Sequence, residues 1–185
     1  ACPGLAIDLY TDTERDLRYF SARVQSAQVV PAATSHSKVQ IGSRVRFVDA
    51  QEPVYPRVVA ELRAGRKQSH WMWFIFPQIE GLGFSAMAQK YAIVSRAEAE
   101  AYLAHPVLGK RLRECAQLVN AASGTNITAI MGSPDDMKLR SSMTLFARTG
   151  DDNAAFRAVL DKYYGGDEDP ATIARGVDRG RTADP

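Results

Sequence analysis

Three stretches of this chain hold side chains able to do chemistry. The first is Ser69-His70-Trp71-Met72-Trp73-Phe74-Ile75-Phe76-Pro77-Gln78, followed by Gly81-Leu82-Gly83. Both tryptophans of the 185-residue chain stand here, at alternate positions. That spacing suits an extended segment, with Trp71, Trp73 and Ile75 on one side and His70, Met72, Phe74 and Phe76 on the other. Two apolar sides point to central burial, because large aromatics dominate core burial. The functional counterpart is an aromatic floor for a flat ring or nucleobase, with the polar groups of His70 and Gln78 at its two ends. Gly81 and Gly83 would allow a close backbone approach to such a ligand.

The second stretch, Tyr102-Leu-Ala-His105-Pro106-Val-Leu-Gly109-Lys110-Arg111-Leu-Arg113, places a histidine before a helix start. His105 there has a local task, bonding first-turn amides. Lys110, Arg111 and Arg113 form either a solvated helix face or an anion site. The third stretch is Ser133-Pro-Asp135-Asp136-Met-Lys138-Leu-Arg140-Ser141-Ser142-Met-Thr144-Leu-Phe146. As a helix it sets Lys138, Ser141 and Ser142 about one turn on from Asp135. Buried Ser142, Ser141 and Thr144 hydroxyls each need a partner. Either the aspartates cap the helix and the hydroxyls bond back to carbonyls, or the stretch is a pocket wall. In a wall, an aspartate serves as general acid/base or binds ribose hydroxyls, and Lys138 holds its charge or meets a phosphate. Adjacent carboxylates on a helix point about 100° apart, which argues against a catalytic dyad of Asp135 and Asp136.

The elements that position these groups read as helices. Val54, Val58 and Leu62 form a stripe that ends at Gly65. Ser95-Arg-Ala-Glu98 is a capping box, and Pro106 suits a first helical position before Leu108, Leu112, Cys115 and Val119. Ser133-Pro134-Asp135-Asp136 repeats the start signal. Asp152 can cap a helix bearing Phe156, Val159, Leu160 and Tyr163, and Asp169-Pro170 opens a last short one. Before all of these, Glu14 to Ala27 reads as an amphipathic helix and Lys38–Val48 as a hairpin turning at Gly42-Ser43. The expected fold is mainly α: a single compact multi-helix domain with a short buried aromatic extended segment and a small α/β-like N-terminal appendage. Residues 1–46 are the appendage, 47–174 the main domain and 175–185 a flexible tail.

Composition narrows the classes. Apolar residues at 45% and charged residues at 24% are the ordinary globular balance, which excludes a wholly disordered chain. No apolar run approaches the roughly 20 residues of a membrane span. Cys2 and Cys115 stand far apart, so neither a disulfide framework nor a zinc site is expected, and no cofactor is called for. No basic segment leads into an apolar run at the start, so a cytoplasmic location is the default. Arg57, Arg63, Arg66 and Lys67 offer a basic face, but a net charge of +2 ranks nucleic acid last among partners.

Resemblance adds to this reading. Four runs carry it: Arg46-Phe-Val-Asp-Ala-Gln-Glu-Pro-Val-Tyr55, Glu61 through His70-Trp-Met-Trp-Phe-Ile-Phe-Pro-Gln78, Ser141-Ser-Met-Thr-Leu-Phe146 and Tyr164-Gly-Gly-Asp-Glu-Asp-Pro-Ala-Thr172. Together they closely resemble the bacterial domain of unknown function family 1810, over residues about 46–174. That resemblance implies a mainly helical single domain and no established activity. Within residues 14–47, the runs Asp16 to Val30 and Lys38 to Phe47 resemble the junction in Gre-type transcript-cleavage factors, where a coiled coil passes into a β domain. The acidic tip that acts in those factors is missing, so no activity is carried over. The order of elements is also similar to the NADAR (riboflavin-intermediate N-glycosidase-like) fold. The acidic residue expected there near the aromatic motif has only Glu80 as a candidate.

The leading expectation is one pocket for a small ligand of nucleotide or ADP-ribose type. Trp71, Trp73, Gln78, Asp135, Lys138, Ser141, Ser142 and Thr144 would line it. N-glycosidic hydrolysis would use Asp136 or Glu80 to activate water or stabilise an oxocarbenium-like state, with His70 or Lys138 on the ligand. The rival is a non-catalytic protein-interaction module with a transcription-linked context, in which the same polar groups satisfy helix ends. Convergence of these side chains on one concavity separates the two.

Overall fold

The structure, a computed structural model, describes residues 38–176, which lie in a compact unit beginning at Lys38. Ten helices follow one another among the described residues: α1 Lys38–Gln51, α2 Tyr55–Arg63, α3 Met72–Ile75, α4 Ala86–Lys90, α5 Arg96–Ala104, α6 Leu108–Ala121, α7 Ile127–Met131, α8 Asp135–Ala147, α9 Ala154–Tyr164 and α10 Pro170–Ile173. The mainly helical fold class expected from punctuation is the one observed. No described helix is long and apolar enough to cross a membrane. The helix expected over 14–27 lies outside the described residues, as does the tail beyond Gly176.

Two elements differ from expectation. Residues 38–48, read as a hairpin and as the start of a Gre-like β domain, belong to helix α1, which also runs through position 46. Local signals favoured a turn at Gly42-Ser43, and glycine inside a helix costs about 1 kcal/mol relative to alanine. Packing overrides that cost. One helical turn apart, Phe47 and Gln51 are both buried. Arg46 bonds Ala92 O at 2.8 Å and Glu98 Oε1 at 2.9 Å.

The aromatic segment is the second difference: Met72–Ile75 is a single helical turn rather than extended. A buried extended segment needs neighbours for its backbone N–H and C=O groups. The only β pairing among the described residues is one isolated parallel bridge, Ile79 with Ile93. The turn satisfies the backbone internally instead, through Ile75 N to Trp71 O at 3.2 Å and Phe76 N to Met72 O at 3.0 Å. Trp71, Met72, Phe74, Ile75 and Phe76 are then buried, and Trp73 alone is half-exposed.

The core is organised by a chain of rings. Phe74, Tyr91, Phe47, Tyr102, Phe146 and Phe156 contact one another in sequence, with centroids 5.0 to 5.8 Å apart. Edge and tilted geometries of this kind add to plain burial. Buried Gln51 ties α1 to this chain, its Nε2 donating to Phe74 O at 2.8 Å and to Tyr102 Oη at 3.0 Å. Helix α8 runs through the centre, packed by α5, α7, α9 and α10. From Leu139 to Ala147 only Arg140 escapes burial.

Helix ends follow local chemistry. Ser95 Oγ accepts from Glu98 N at 3.2 Å. Asp169 caps α10, and Gly165 ends α9 at φ +64°, a left-handed conformation that suits glycine. His105 Nδ1 accepts from Val107 N at 3.2 Å and Leu108 N at 3.3 Å, so it is a capping residue between α5 and α6. The start of α8 is shifted from its expected place, with Pro134 rather than Ser133 at the cap position. Asn153, not Asp152, precedes α9.

Candidate functional site

The tryptophan-rich segment and the start of α8 do meet, through Lys67, which the sequence placed only on a basic face. Lys67 leaves the loop after α2 with its side chain only 9% exposed and binds Asp135 Oδ2 at 2.7 Å. Lys138 binds the other oxygen, Asp135 Oδ1, also at 2.7 Å. Each ammonium also lies over an indole, Lys67 Nζ 5.3 Å from the Trp71 ring centroid and Lys138 Nζ 5.1 Å from that of Trp73. Indoles are the strongest aromatic partners for cations. Burial would raise the Asp135 pKa, but the two lysines outweigh it and hold the carboxyl below its usual range. Asp135 is therefore an ionised clamp between two cations.

Asp136, one position on, points elsewhere. Its Oδ2 accepts from Thr128 Oγ1 at 2.5 Å and its Oδ1 from Met137 N at 2.8 Å. The divergence of the two neighbouring carboxylates agrees with helical geometry.

Gln78 and Glu80 flank a separate crevice that shares Trp73 with the lysine cluster. Gly81, Gly83, Gln89 and Tyr91 complete most of its wall, and its volume is about 20 Å³. That is room for about one water molecule. The glycines there have packing tasks. A Cβ on Gly83 would lie 2.5 Å from Ala88 Cβ. Gly81 has φ +86°, and its carbonyl accepts from Arg175 Nη2 at 2.8 Å. Glu80 and His70 are exposed.

The hydroxyls of α8 face another part of the same chain. Ser141 Oγ lies 2.9 Å from Asp169 Oδ2 and 3.2 Å from Met137 O. Thr144 Oγ1 accepts from Asp169 N at 2.8 Å. Asp169 also takes Thr172 N at 3.1 Å, Ala171 N at 3.4 Å and the Thr172 hydroxyl at 2.5 Å. Burial would raise its pKa, but these donors prevail and lower it. Arg140 donates to the carbonyls of Asp167 and Glu168, Arg148 pairs with the Glu168 carboxylate, and Tyr164 Oη donates to Asp136 O at 2.6 Å. The segment 164–172 is thus fastened along α8.

Ser142 is the exception, fully buried with no hydrogen-bond partner for its Oγ. Deleting an unpaired buried hydroxyl removes a desolvation cost, and alanine is the better helix former. Ser142→Ala should therefore leave stability unchanged or raise it by up to about 1 kcal/mol in urea denaturation. A loss larger than that would show that the hydroxyl has a partner. Ser141→Ala, which breaks the Asp169 contact, should lower stability in the same assay.

A residue to which the sequence assigned no role is Glu61. Only 8% exposed, its carboxylate accepts from Gln68 N at 2.9 Å, Ser69 N at 3.1 Å, Ser69 Oγ at 2.6 Å and Trp71 Nε1 at 2.8 Å. Burial pushes its pKa up; the four donors overcome that and bring it down to about 2. A signal was present, because Glu61 interrupts the apolar stripe Val54, Val58, Leu62 on its buried side. Lys67 had no such signal, since its partner is remote in the chain.

Among the described residues no three His, Cys, Asp or Glu side chains gather as a metal site. Cys115 is buried, and its thiol is pushed up to about 12 by that burial.

The family described as protein of unknown function (DUF1810) matches residues 43–175. Among solved structures the chain is similar to the conserved hypothetical protein Rv1873 from Mycobacterium tuberculosis. Identity is 61%, the TM-score is 0.69, and 70% of this chain and 93% of that chain are covered. No curated protein matches the chain.

Proposed function

This chain belongs to the DUF1810 family, and on that premise we propose that it is a non-catalytic protein-interaction module acting in the bacterial cytoplasm. One observation carries this reading: the polar groups suited to chemistry are already engaged inside the fold. Asp135 is held by two lysines, Asp136 by Thr128, and Ser141 and Thr144 by the 164–172 segment. A general base must reach the proton it takes, and a bound sugar needs space. Glu80 is the remaining candidate acid; it borders a crevice of about 20 Å³ and an open hollow of about 420 Å³, and neither is lined by His70, Asp136 or Lys138.

A second reading rests on Lys138 lying over the half-exposed Trp73, 5.1 Å from its centroid. That pair offers a flat face and a cation to a ligand of nucleotide type. One experiment separates the readings. The protein is incubated with nucleosides, NAD, ADP-ribose and riboflavin precursors, and base release and melting temperature are followed. The binding-module reading expects no release and no shift. Base release lost in Glu80→Gln or Asp136→Asn would overturn it. A rise in melting temperature without release, lost in Trp73→Ala, would favour the nucleotide reading, because a ligand selective for the native state raises it.

A further inference from the structure

We propose that the face of α8 bearing Arg140, Ser141, Thr144 and Arg148 is a recognition site for an acidic peptide segment of a partner protein, occupied in cis by this chain's own Asp167-Glu168-Asp169. The proposal rests on the binding-module reading and gives that module a partner and a means of control. The contacts have the anatomy of peptide recognition. Three are made to the main chain of the guest: Arg140 Nε to Asp167 O at 3.1 Å, Arg140 Nη2 to Glu168 O at 3.2 Å, and Asp169 N to Thr144 Oγ1 at 2.8 Å. Main-chain bonds hold any peptide of the right shape, and side-chain pockets then choose among sequences. The choosing contacts are acidic: Arg148 takes the Glu168 carboxylate through Nε and Nη2, and Ser141 meets the Asp169 carboxylate. Bonds of this charged kind are the stronger ones.

The guest is fastened by polarity rather than by a core. None of residues 165–171 is buried, and Thr172 is the first that is. Segments with few buried apolar contacts open locally at lower free energy than the core. Two glycines precede the acidic triplet, Gly165 at φ +64° and Gly166 at φ +84°; they close α9, with Gly166 N on Leu160 O at 3.1 Å and Asp167 N on Tyr164 O at 3.0 Å, so the triplet lifts from that fixed end. Lifting would bare two guanidinium groups and two hydroxyls on a rigid central helix. The native segment therefore acts as an autoinhibitor, and an acidic peptide from outside competes for the same groups.

The test uses the full chain and a fluorescein-labelled peptide of sequence Gly-Gly-Asp-Glu-Asp-Pro-Ala-Thr. Wild type should bind it weakly, because the site is competent only in the fraction with the segment lifted. The E168A/D169A double variant should bind roughly tenfold or more tightly than wild type. Adding R148A to that variant should remove the gain, and raising salt should weaken binding. No binding by a double variant that keeps the wild-type circular dichroism spectrum overturns the proposal. Should that variant fail to fold, amide exchange on the unaltered protein decides. The Asp169 and Thr172 amides should exchange roughly tenfold or more faster than that of Leu145 in α8. Equal rates would mean that the segment leaves only when the whole domain unfolds, and would overturn the proposal. Either failure leaves the binding-module reading standing, since that reading falls to base release instead.

Discussion

Glu61→Ala should cost the domain about 3 kcal/mol, one of the two largest losses expected from a single substitution outside the aromatic core. The carboxylate has no cationic partner among its hydrogen bonds; all four donors are neutral groups of the following loop and Trp71. Removing the acceptor leaves the Trp71 indole N–H, on a side chain only 1% exposed, without a partner. Each orphaned buried donor costs about 1–3 kcal/mol. The Gln68 and Ser69 amides lie nearer the surface, so water replaces part of their loss. A pH signature separates this role from plain packing. Folding lowers the Glu61 pKa from 4.5 to about 2, so the unfolded chain binds a proton more readily than the folded one. Its charge-linked stabilisation is complete above pH 4.5, falls as the pH drops toward 2, and is gone below that. The gap corresponds to about 3 kcal/mol. Urea midpoints of wild type and Glu61→Gln should therefore differ most near neutrality and converge through that window. A difference that stays constant from pH 7 to pH 3 would refute the assignment. Asp135 and Asp169, also lowered, add acid sensitivity of the same sign.

What the sequence made legible were interactions between near neighbours in the chain. Ser95, His105, Gly165 and Asp169 each end or begin a helix through partners within a few residues, so their types and positions suffice to read them. The misread elements are those decided at a distance. Gly42-Ser43 reads as a turn until Phe47 and Gln51 are seen buried on one side of a helix. Alternating Trp71 and Trp73 read as extended, yet an extended backbone there would lack strands to pair with among the described residues. The need for partners at Ser141 and Thr144 was legible, because most buried hydroxyls bond to something; the same expectation failed at Ser142, whose Oγ has no partner. The partner of Ser141 and Thr144 was not legible, since it is Asp169, 28 and 25 residues further on. The same holds for the lysine cluster. Asp135 and Lys138 read as one turn of helix, but the meeting of Lys67 with Asp135 is long-range and follows from the path of the whole fold.

Gly109→Ala is expected to be as damaging as the loss of Glu61, for an opposite reason. Position 109 lies in α6, where alanine would ordinarily gain about 1 kcal/mol over glycine. Here a Cβ would lie 2.0 Å from Leu103 O and 2.8 Å from Leu103 C, both backbone atoms at the end of α5. A flexible side chain could yield to such a contact; a backbone carbonyl cannot without moving its helix. That movement is opposed on both sides of the junction. His105 bonds the amides of Val107 and Leu108 through Nδ1, and its carbonyl accepts from Gly109 N at 3.0 Å. Just beyond, Leu108 and Leu112 are buried. Forcing an extra methyl into a filled site costs about 1–3 kcal/mol, more where the obstacle is rigid. The expected outcome is a loss of about 3 kcal/mol or more in urea denaturation, with neighbouring Lys110→Ala near neutral because Lys110 is exposed. A Gly109→Ala protein as stable as wild type would mean that α5 and α6 do not approach so closely. The chain of rings through Tyr102, one turn before His105, would then need a different path.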